Sequence, residues 1–309
     1  MPSLNEVAKK LVAPGKGILA ADESFGTIEK RFAKIGIEST HENRRTYREL
    51  LFSTPGLDQY ISGIIQFDET IRDQILKNPN IISIIKVDEG FDKETGVIKP
   101  MSGLAQRLEE YKKLGAQAAK ARSVIIVGKE QYIIENAKAQ AEYAKLCQDL
   151  GIVPMVEPEV LMDGGHGIEE CEKTTEETLR VVFDELNSAG VAIDGIILKP
   201  NMVVSGMVSG QKATPQQIAE ATVRVLKKTV PDNLPGITFL SGGQSEEEAT
   251  ENLQAINRIG GPWRLTFSYG RALQDSVLKT WAGKAENIPT AQAKLLERAR
   301  ANSEATASA

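Results

Sequence analysis

The sequence predicts a (β/α)8 barrel, the TIM-barrel form of the α/β class, and three observations carry that prediction. Eight short apolar, β-branched runs recur at fairly even spacing along 309 residues. Segments of helical period separate them, several opened by capping patterns. Charged or hydroxyl side chains then stand at matching ends of the runs. An open doubly wound sheet is the alternative for such an alternation. Length alone, at roughly 150 residues per domain, allows two domains, yet single α/β barrels of about 250 residues are common. No repeat and no composition shift marks a linker. Residues 1–309 therefore read as one barrel domain, with a loose Ala-, Ser- and Thr-rich tail from Ala299.

The runs are Gly17–Ala21, Ile61–Phe67, Ile81–Val87, Ser123–Val127, Ile152–Val156, Gly195–Leu198, Ile237–Leu240 and Leu265–Phe267. Their near-continuous hydrophobicity suits strands buried on both faces. Leu104, Leu108, Tyr111 and Leu114 make one helical stripe; Ile218, Ala221, Val225 and Leu226 make another. Thr174-Thr175-Glu176-Glu177 and Ser245-Glu246-Glu247-Glu248 have the form of capping boxes, and Thr214-Pro215 places proline in a first helical turn.

Composition narrows the function class. A net charge of −5 argues against nucleic-acid binding, which needs a basic face. No apolar run reaches the roughly 18 residues of a membrane span, and Met1 to Lys10 lacks a signal-peptide core. Cys147 and Cys171 make no disulfide framework, and His41 and His166 are too few for a three-histidine metal site. A soluble enzyme of the cytosol or plastid stroma is expected, with no membrane or nucleic-acid partner.

The informative residues are ions at strand positions, because burying a charge costs several kcal/mol unless it is paired. Asp22 closes the first run, Asp68 and Glu69 the second, and Lys86 and Asp88 the third. Lys120 and Arg122 open or precede the fourth, Glu157 and Glu159 end the fifth, and Lys199 ends the sixth. Ser241 follows the seventh; Ser268 and Arg271 follow the eighth. Strand side chains alternate, so Lys86/Asp88, Lys120/Arg122 and Glu157/Glu159 each share a side. The competing reading is a salt-bridge plug inside the barrel. Polar groups at all eight ends favour a catalytic mouth.

Lys199, in Ile197-Leu198-Lys199-Pro200-Asn201, is the sharpest candidate. Apolar surroundings and a second cation such as Lys120 would lower its pKa and leave more free amine. A free amine condenses with a ketone or aldehyde to a Schiff base, and Glu157 or Glu159 would shuttle the protons. Gly242-Gly243, before a capped helix, and Ser268-Tyr269-Gly270-Arg271 read as two anion-binding loops for a phosphorylated ligand. Gly26-Thr27 with Lys30 and Arg31 would hold a second phosphate.

At this level of detail the chain resembles class I fructose-bisphosphate aldolase. The resemblance rests on Gly17-Ile18-Leu19-Ala20-Ala21-Asp22-Glu23-Ser24, Val156-Glu157-Pro158-Glu159 and Leu198-Lys199-Pro200-Asn201-Met202. Leu240-Ser241-Gly242-Gly243-Gln244-Ser245 and Phe267-Ser268-Tyr269-Gly270-Arg271-Ala272 complete it, collinear from about residue 5 to 303. It implies a homotetrameric barrel without metal or organic cofactor. The implied reaction is reversible cleavage of fructose 1,6-bisphosphate to dihydroxyacetone phosphate and glyceraldehyde 3-phosphate.

By the resemblance, Lys199 is the Schiff-base lysine, Glu157 the acid/base, and Glu159 a neighbour of the imine. Asp22 meets the C4 hydroxyl, with Lys120 supporting it. Lys86 and Arg122 match positions around the substrate and its second phosphate, and Arg31 a residue approaching the bisphosphate. Ser241, Gly242, Gly243, Ser268, Gly270 and Arg271 match the dihydroxyacetone phosphate end.

Three departures carry expectations of their own. Animal and plant members end in a tyrosine that exchanges the C3 proton, and no tyrosine follows Tyr269 here, which implies slower exchange. Ala121 stands where animal members have a bulky aromatic, and Phe25 replaces a small polar residue. Both leave hexose preference open and admit sedoheptulose 1,7-bisphosphate. Rival classes are a metal-dependent aldolase, for which histidines are lacking, a transaldolase-like transferase, and a non-enzymatic binding protein.

Overall fold

The computed structural model describes residues 2–307. Eight parallel strands close into a barrel in chain order, β1 pairing with both β2 and β8. They are β1 (Gly17–Ala21), β2 (Ile61–Gln66), β3 (Ile82–Lys86), β4 (Ala118–Ile125), β5 (Val153–Val160), β6 (Ile197–Leu198), β7 (Gly236–Phe239) and β8 (Arg264–Tyr269). The helices are α1 (Leu4–Leu11), α2 (Phe25–Ala33), α3 (His41–Phe52), α4 (Asp68–Arg72), α5 (Leu104–Lys113) and α6 (Ile133–Asp149). The remaining five are α7 (Ile168–Ser188), α8 (Pro215–Thr229), α9 (Glu246–Ile259), α10 (Arg271–Trp281) and α11 (Ile288–Ala305). The (β/α)8 expectation holds and the open sheet is excluded.

Strand alternation divides the core in two. Outward residues such as Leu19, Ile64, Ile85, Ala119, Val156, Leu198 and Phe267 pack under the helices. Inward residues Ile18, Ile65, Ile84, Ala118, Val153, Met155 and Ile197 form a separate cluster that fills the lower barrel. Helix α1 closes that end, adding Val7, Ala8, Leu11 and Val12. Gly63 makes room for it, since a Cβ there would lie 2.8 Å from Leu11 Cδ2.

Three sequence expectations need correction. Strand β4 begins at Ala118, not Ser123, and so contains Lys120 and Arg122; their charges interrupted the apolar run that marks a strand. Thr174-Thr175-Glu176-Glu177 lies inside α7, which starts at Ile168 with Glu170 Oε2 accepting from Gly167 N at 2.8 Å. Thr174 and Thr175 are buried there, bonded to Glu130 and Asn201. The tail expected to be loose from Ala299 continues α11 to Ala305. Ala291, Leu295, Ala299, Asn302 and Ala305 form its buried face, and Thr250 Oγ1 bonds both Arg298 and Asn302. Ser308 and Ala309 of that tail lie outside the described residues.

Because Leu11 fills the barrel floor with no exposure, Leu11→Ala is expected to cost about 2–5 kcal/mol of unfolding free energy. Urea unfolding measures the loss. The strand ends that carry the expected catalytic residues lie at the opposite mouth, so turnover per folded molecule should hold.

Candidate active site

Above the apolar floor, the inward positions of the same strands become ionic. The register sets Lys86 of β3 beside Lys120 of β4, and Arg122 of β4 beside Glu157 of β5. Lys199 directly follows β6, its N–H bonded to Val156 O at 2.8 Å. These side chains, with Asp22 and Glu23 after β1, line a cavity of about 830 Å³ at the C-terminal end of the strands. Such barrels carry their chemistry at this end.

Lys120 lies at the centre of the ionic layer, buried at 3% exposure. Its Nζ is 2.8 Å from Asp22 Oδ2, 3.0 Å from Glu157 Oε2 and 3.7 Å from Asp88 Oδ2. Burial disfavours its charge, but the carboxylates of Asp22, Glu157 and Asp88 outweigh burial and raise its pKa. Glu157 reaches Lys199 with its other oxygen, Oε1, 2.9 Å from Nζ. The two lysines expected to repel one another are therefore bridged by one carboxylate.

Burial pushes the carboxyl of Glu157 up, but Lys120, Lys199 and Arg122 together hold it below the usual carboxylate range. Asp22 balances in the same way: burial raises it, and Lys120, Lys199 and Lys86 bring it well below. Asp88, left unassigned in the sequence reading, accepts from Lys86 at 2.5 Å and from Arg122 N at 3.2 Å. Glu159 pairs with the Arg122 guanidinium. Arg122 feels burial as a lowering influence, and Glu159 and Glu157 reverse it.

The residues of the two loops expected to bind phosphate assemble on the other side of the cavity. Ser241, Gly242, Ser268, Gly270 and Arg271 all line it, as does Arg31 from α2. Ser268 Oγ is buried and has no hydrogen-bond partner among the described residues. Arg271 donates to the carbonyl of Gly242, tying the loop after β7 to the loop after β8. Gly242 has φ +56°, a left-handed turn that favours glycine.

Gly243 departs from the expectation. It does not line the cavity; past the Gly242 turn its N–H points to Met162 Sδ. The helix N-terminus free for an anion is also a different one. The start of α9 is closed by its own capping box, Ser245 with Glu248, and carries Glu246, Glu247 and Glu248 in its first turn. Helix α10, opening at Gly270, has neither a side-chain cap nor an acidic first turn. Ala121 and Phe25 do not line the cavity either: Ala121 faces the helices, and half-exposed Phe25 packs edge-on against Phe67. The expectation that these two residues admit a longer sugar loses its footing.

Sequence reasoning missed a second buried ion cluster. Glu23 pairs with Arg31 and, at 2.5 Å, with Arg48 of α3, while Gln274 Nε2 donates to Glu23 Oε1 at 3.3 Å. The available signal was Arg48 itself, a charge on the apolar face of α3, three and four residues before Leu51 and Phe52. Among the described residues no group of three or more His, Cys, Asp and Glu side chains is placed to hold a metal ion.

Removing Lys120 leaves Asp22 and Glu157 without their shared cation. Lys120→Met is expected to destabilise by about 3–5 kcal/mol at neutral pH. Carboxylates with lowered folded pKa values give stability that is present above the ordinary carboxylate range and fades as pH falls below it. The deficit of the variant should therefore shrink on acidification. Thermal melts between pH 3 and pH 8 test this, and a pH-independent deficit contradicts it.

The family profile described as "Fructose-bisphosphate aldolase class-I" matches residues 3–309. Fructose-bisphosphate aldolase of Drosophila melanogaster is 52% identical over 323 residues, covering 98% of this chain and 89% of its own. The probable class 1 enzyme of Xanthomonas campestris is 49% identical, covering 97% and 96%. A solved Plasmodium falciparum fructose-bisphosphate aldolase, in complex with TRAP and a small-molecule inhibitor, superposes with a TM-score of 0.95. It is 50% identical, with 98% of this chain and 93% of that one covered. The chain belongs to the class-I fructose-bisphosphate aldolase family.

Proposed function

We propose that the chain reversibly cleaves fructose 1,6-bisphosphate through a Schiff base on Lys199. The observation that carries this reading is the continuous ion chain Lys199–Glu157–Lys120–Asp22, closed within one cavity. A proton passed from Lys199 to Glu157 creates, in one step, a free amine and a carboxylic acid beside it. The amine attacks the C2 carbonyl, and the proton that the attacking nitrogen gives up is taken by the carbonyl oxygen, which gives the carbinolamine and leaves Glu157 protonated. Glu157 then protonates the departing hydroxyl, which leaves as water as the iminium forms.

Asp22 is the acceptor for the C4 hydroxyl proton. As that proton leaves, the C3–C4 bond breaks, its electrons pass through C2 to the imine nitrogen, and the aldehyde departs. Lys120 stabilises the charge on Asp22 and Glu157 whenever either is ionised. Protonation of the enamine at C3 and hydrolysis by water release dihydroxyacetone phosphate and restore Lys199. Ser241, Gly242, Ser268, Gly270 and Arg271 hold the phosphate of that product, and Arg31, expected from the sequence at the second phosphate, joins them because its Nη2 faces the β8 loop. Lys86 and Arg122 face the rest of the sugar, and Glu159 fixes Arg122.

The family resemblance supports a homotetramer. One Arabidopsis thaliana relative, 50% identical, is named cytosolic, and the cytosol is the compartment inferred. No helix among the described residues is long and apolar enough to cross a membrane.

Coupled-enzyme assays with fructose 1,6-bisphosphate in EDTA test the reading. Wild-type turnover should be unaffected by the chelator, and Lys199→Met should abolish it. Glu157→Gln should lose about 10²–10⁴-fold in kcat, the scale of a general acid/base. Turnover that EDTA removes, or that survives Lys199→Met, contradicts the proposal.

A further inference from the structure

Arg48 is the feature the reaction scheme leaves unused. It lies in α3, buried at 3% exposure and absent from the cavity lining. Glu23 is its only ion-pair partner among the described residues, Oε2 lying 2.5 Å from Arg48 Nη1. The other oxygen of Glu23, Oε1, accepts from Arg31 Nη1 and from Gln274 Nε2. Gln274 is fixed in turn: it donates to Ala20 O at 2.7 Å and accepts from Tyr47 Oη at 3.0 Å. The far nitrogen of Arg31, Nη2, faces the β8 loop, where a Cβ on Gly270 would come within 3.6 Å of it.

The charge count is the point of interest. Glu23 and Arg31 alone form a neutral pair, and a neutralised guanidinium is a poor anion ligand. Glu23 needs no second cation to be paired, and a buried guanidinium is costly to desolvate. With Arg48 present, two guanidiniums share one carboxylate and the triad carries one net positive charge. Its only member on the cavity besides Glu23 is Arg31. Burial raises the carboxyl of Glu23, but Arg31 and Arg48 together lower it, so the carboxylate stays ionised between them.

We infer that Arg48 is a positioning residue for phosphate capture: by occupying one oxygen of Glu23 it leaves Arg31 with a free charge, aimed at the loop after β8. The inference rests on the reading that the loops after β7 and β8 receive a phosphate.

The test compares wild type, Arg48→Lys, Arg48→Met and the double variant Glu23→Gln/Arg48→Met. Calorimetry with inorganic phosphate and steady-state kinetics with fructose 1,6-bisphosphate are the readouts. Arg48→Met is expected to raise the phosphate Kd and the bisphosphate KM by about tenfold, the scale of one charge-assisted contact, with kcat falling less. Arg48→Lys keeps the charge and should stay near wild type. The double variant removes the carboxylate as well, which restores one net charge at Arg31 and should recover most of the lost affinity. It also leaves no uncompensated buried carboxylate, so it reads out the idea even where Arg48→Met fails to fold.

A double variant as weak as wild-type affinity lost tenfold would overturn the proposal, because Arg48 would then serve only the fold. Unchanged phosphate affinity in folded Arg48→Met would overturn it too. Wild type that binds no phosphate would overturn the reading of the loops, and this inference with it.

Discussion

A single ammonium group, Lys120 Nζ, holds the upper half of this barrel together. It lies within 4 Å of carboxylates from three sources: Asp22 after β1, Asp88 after β3 and Glu157 on β5. Each of those would be expensive to bury alone, and each is held ionised against burial by the cations around it. Their charges interact at these distances, so removing any one member disturbs the others. Lys199 joins the unit through Glu157, which is how a lysine buried at 4% exposure comes to sit beside an ionised acid rather than in a purely apolar pocket.

The barrel makes this arrangement affordable by separating two environments on the same strands. Lower inward positions carry Ile18, Ile65, Ile84, Ala118, Met155 and Ile197, closed from below by α1. Two residues further along, the same faces carry Lys86, Lys120, Glu157 and Lys199. Packing below excludes water and fixes the strands. The strands then hold opposite charges at hydrogen-bond distance above, so little reorganisation is left for the reaction itself. On the far rim the design changes from ion pairs to backbone and hydroxyl groups: Gly242, Gly270, a Ser268 Oγ without a partner among the described residues, and the uncapped start of α10.

Much of this was legible in the chain because the ionic residues that line the cavity stand at strand ends. Asp22, Lys86, Glu157 and Lys199 each interrupt or close an apolar run, and each lines the cavity. The same rule obscured β4, where Lys120 and Arg122 fall early enough in the strand to look like a loop before it. Partners distant in sequence were invisible. Nothing local to Arg48 or Gln274 announces Glu23, since those contacts span α3, α10 and the end of β1. Ala and Ser in the last segment suggested looseness, and burial of one face against α9 through Arg298 and Asn302 made it helix instead. Gly243 was misjudged for a similar reason, because the turn at Gly242 decides which way the next N–H points.

In the proposed reaction Lys199 is the residue that bonds to the substrate. Incubation with dihydroxyacetone phosphate and borohydride in EDTA, followed by peptide mass mapping, tests this most directly. Hydride reduces the iminium to a stable secondary amine, so the bond becomes visible by mass. The account predicts a single reduced adduct on Lys199, formed in parallel with loss of activity. Full activity after borohydride, with no adduct on any lysine, would contradict it.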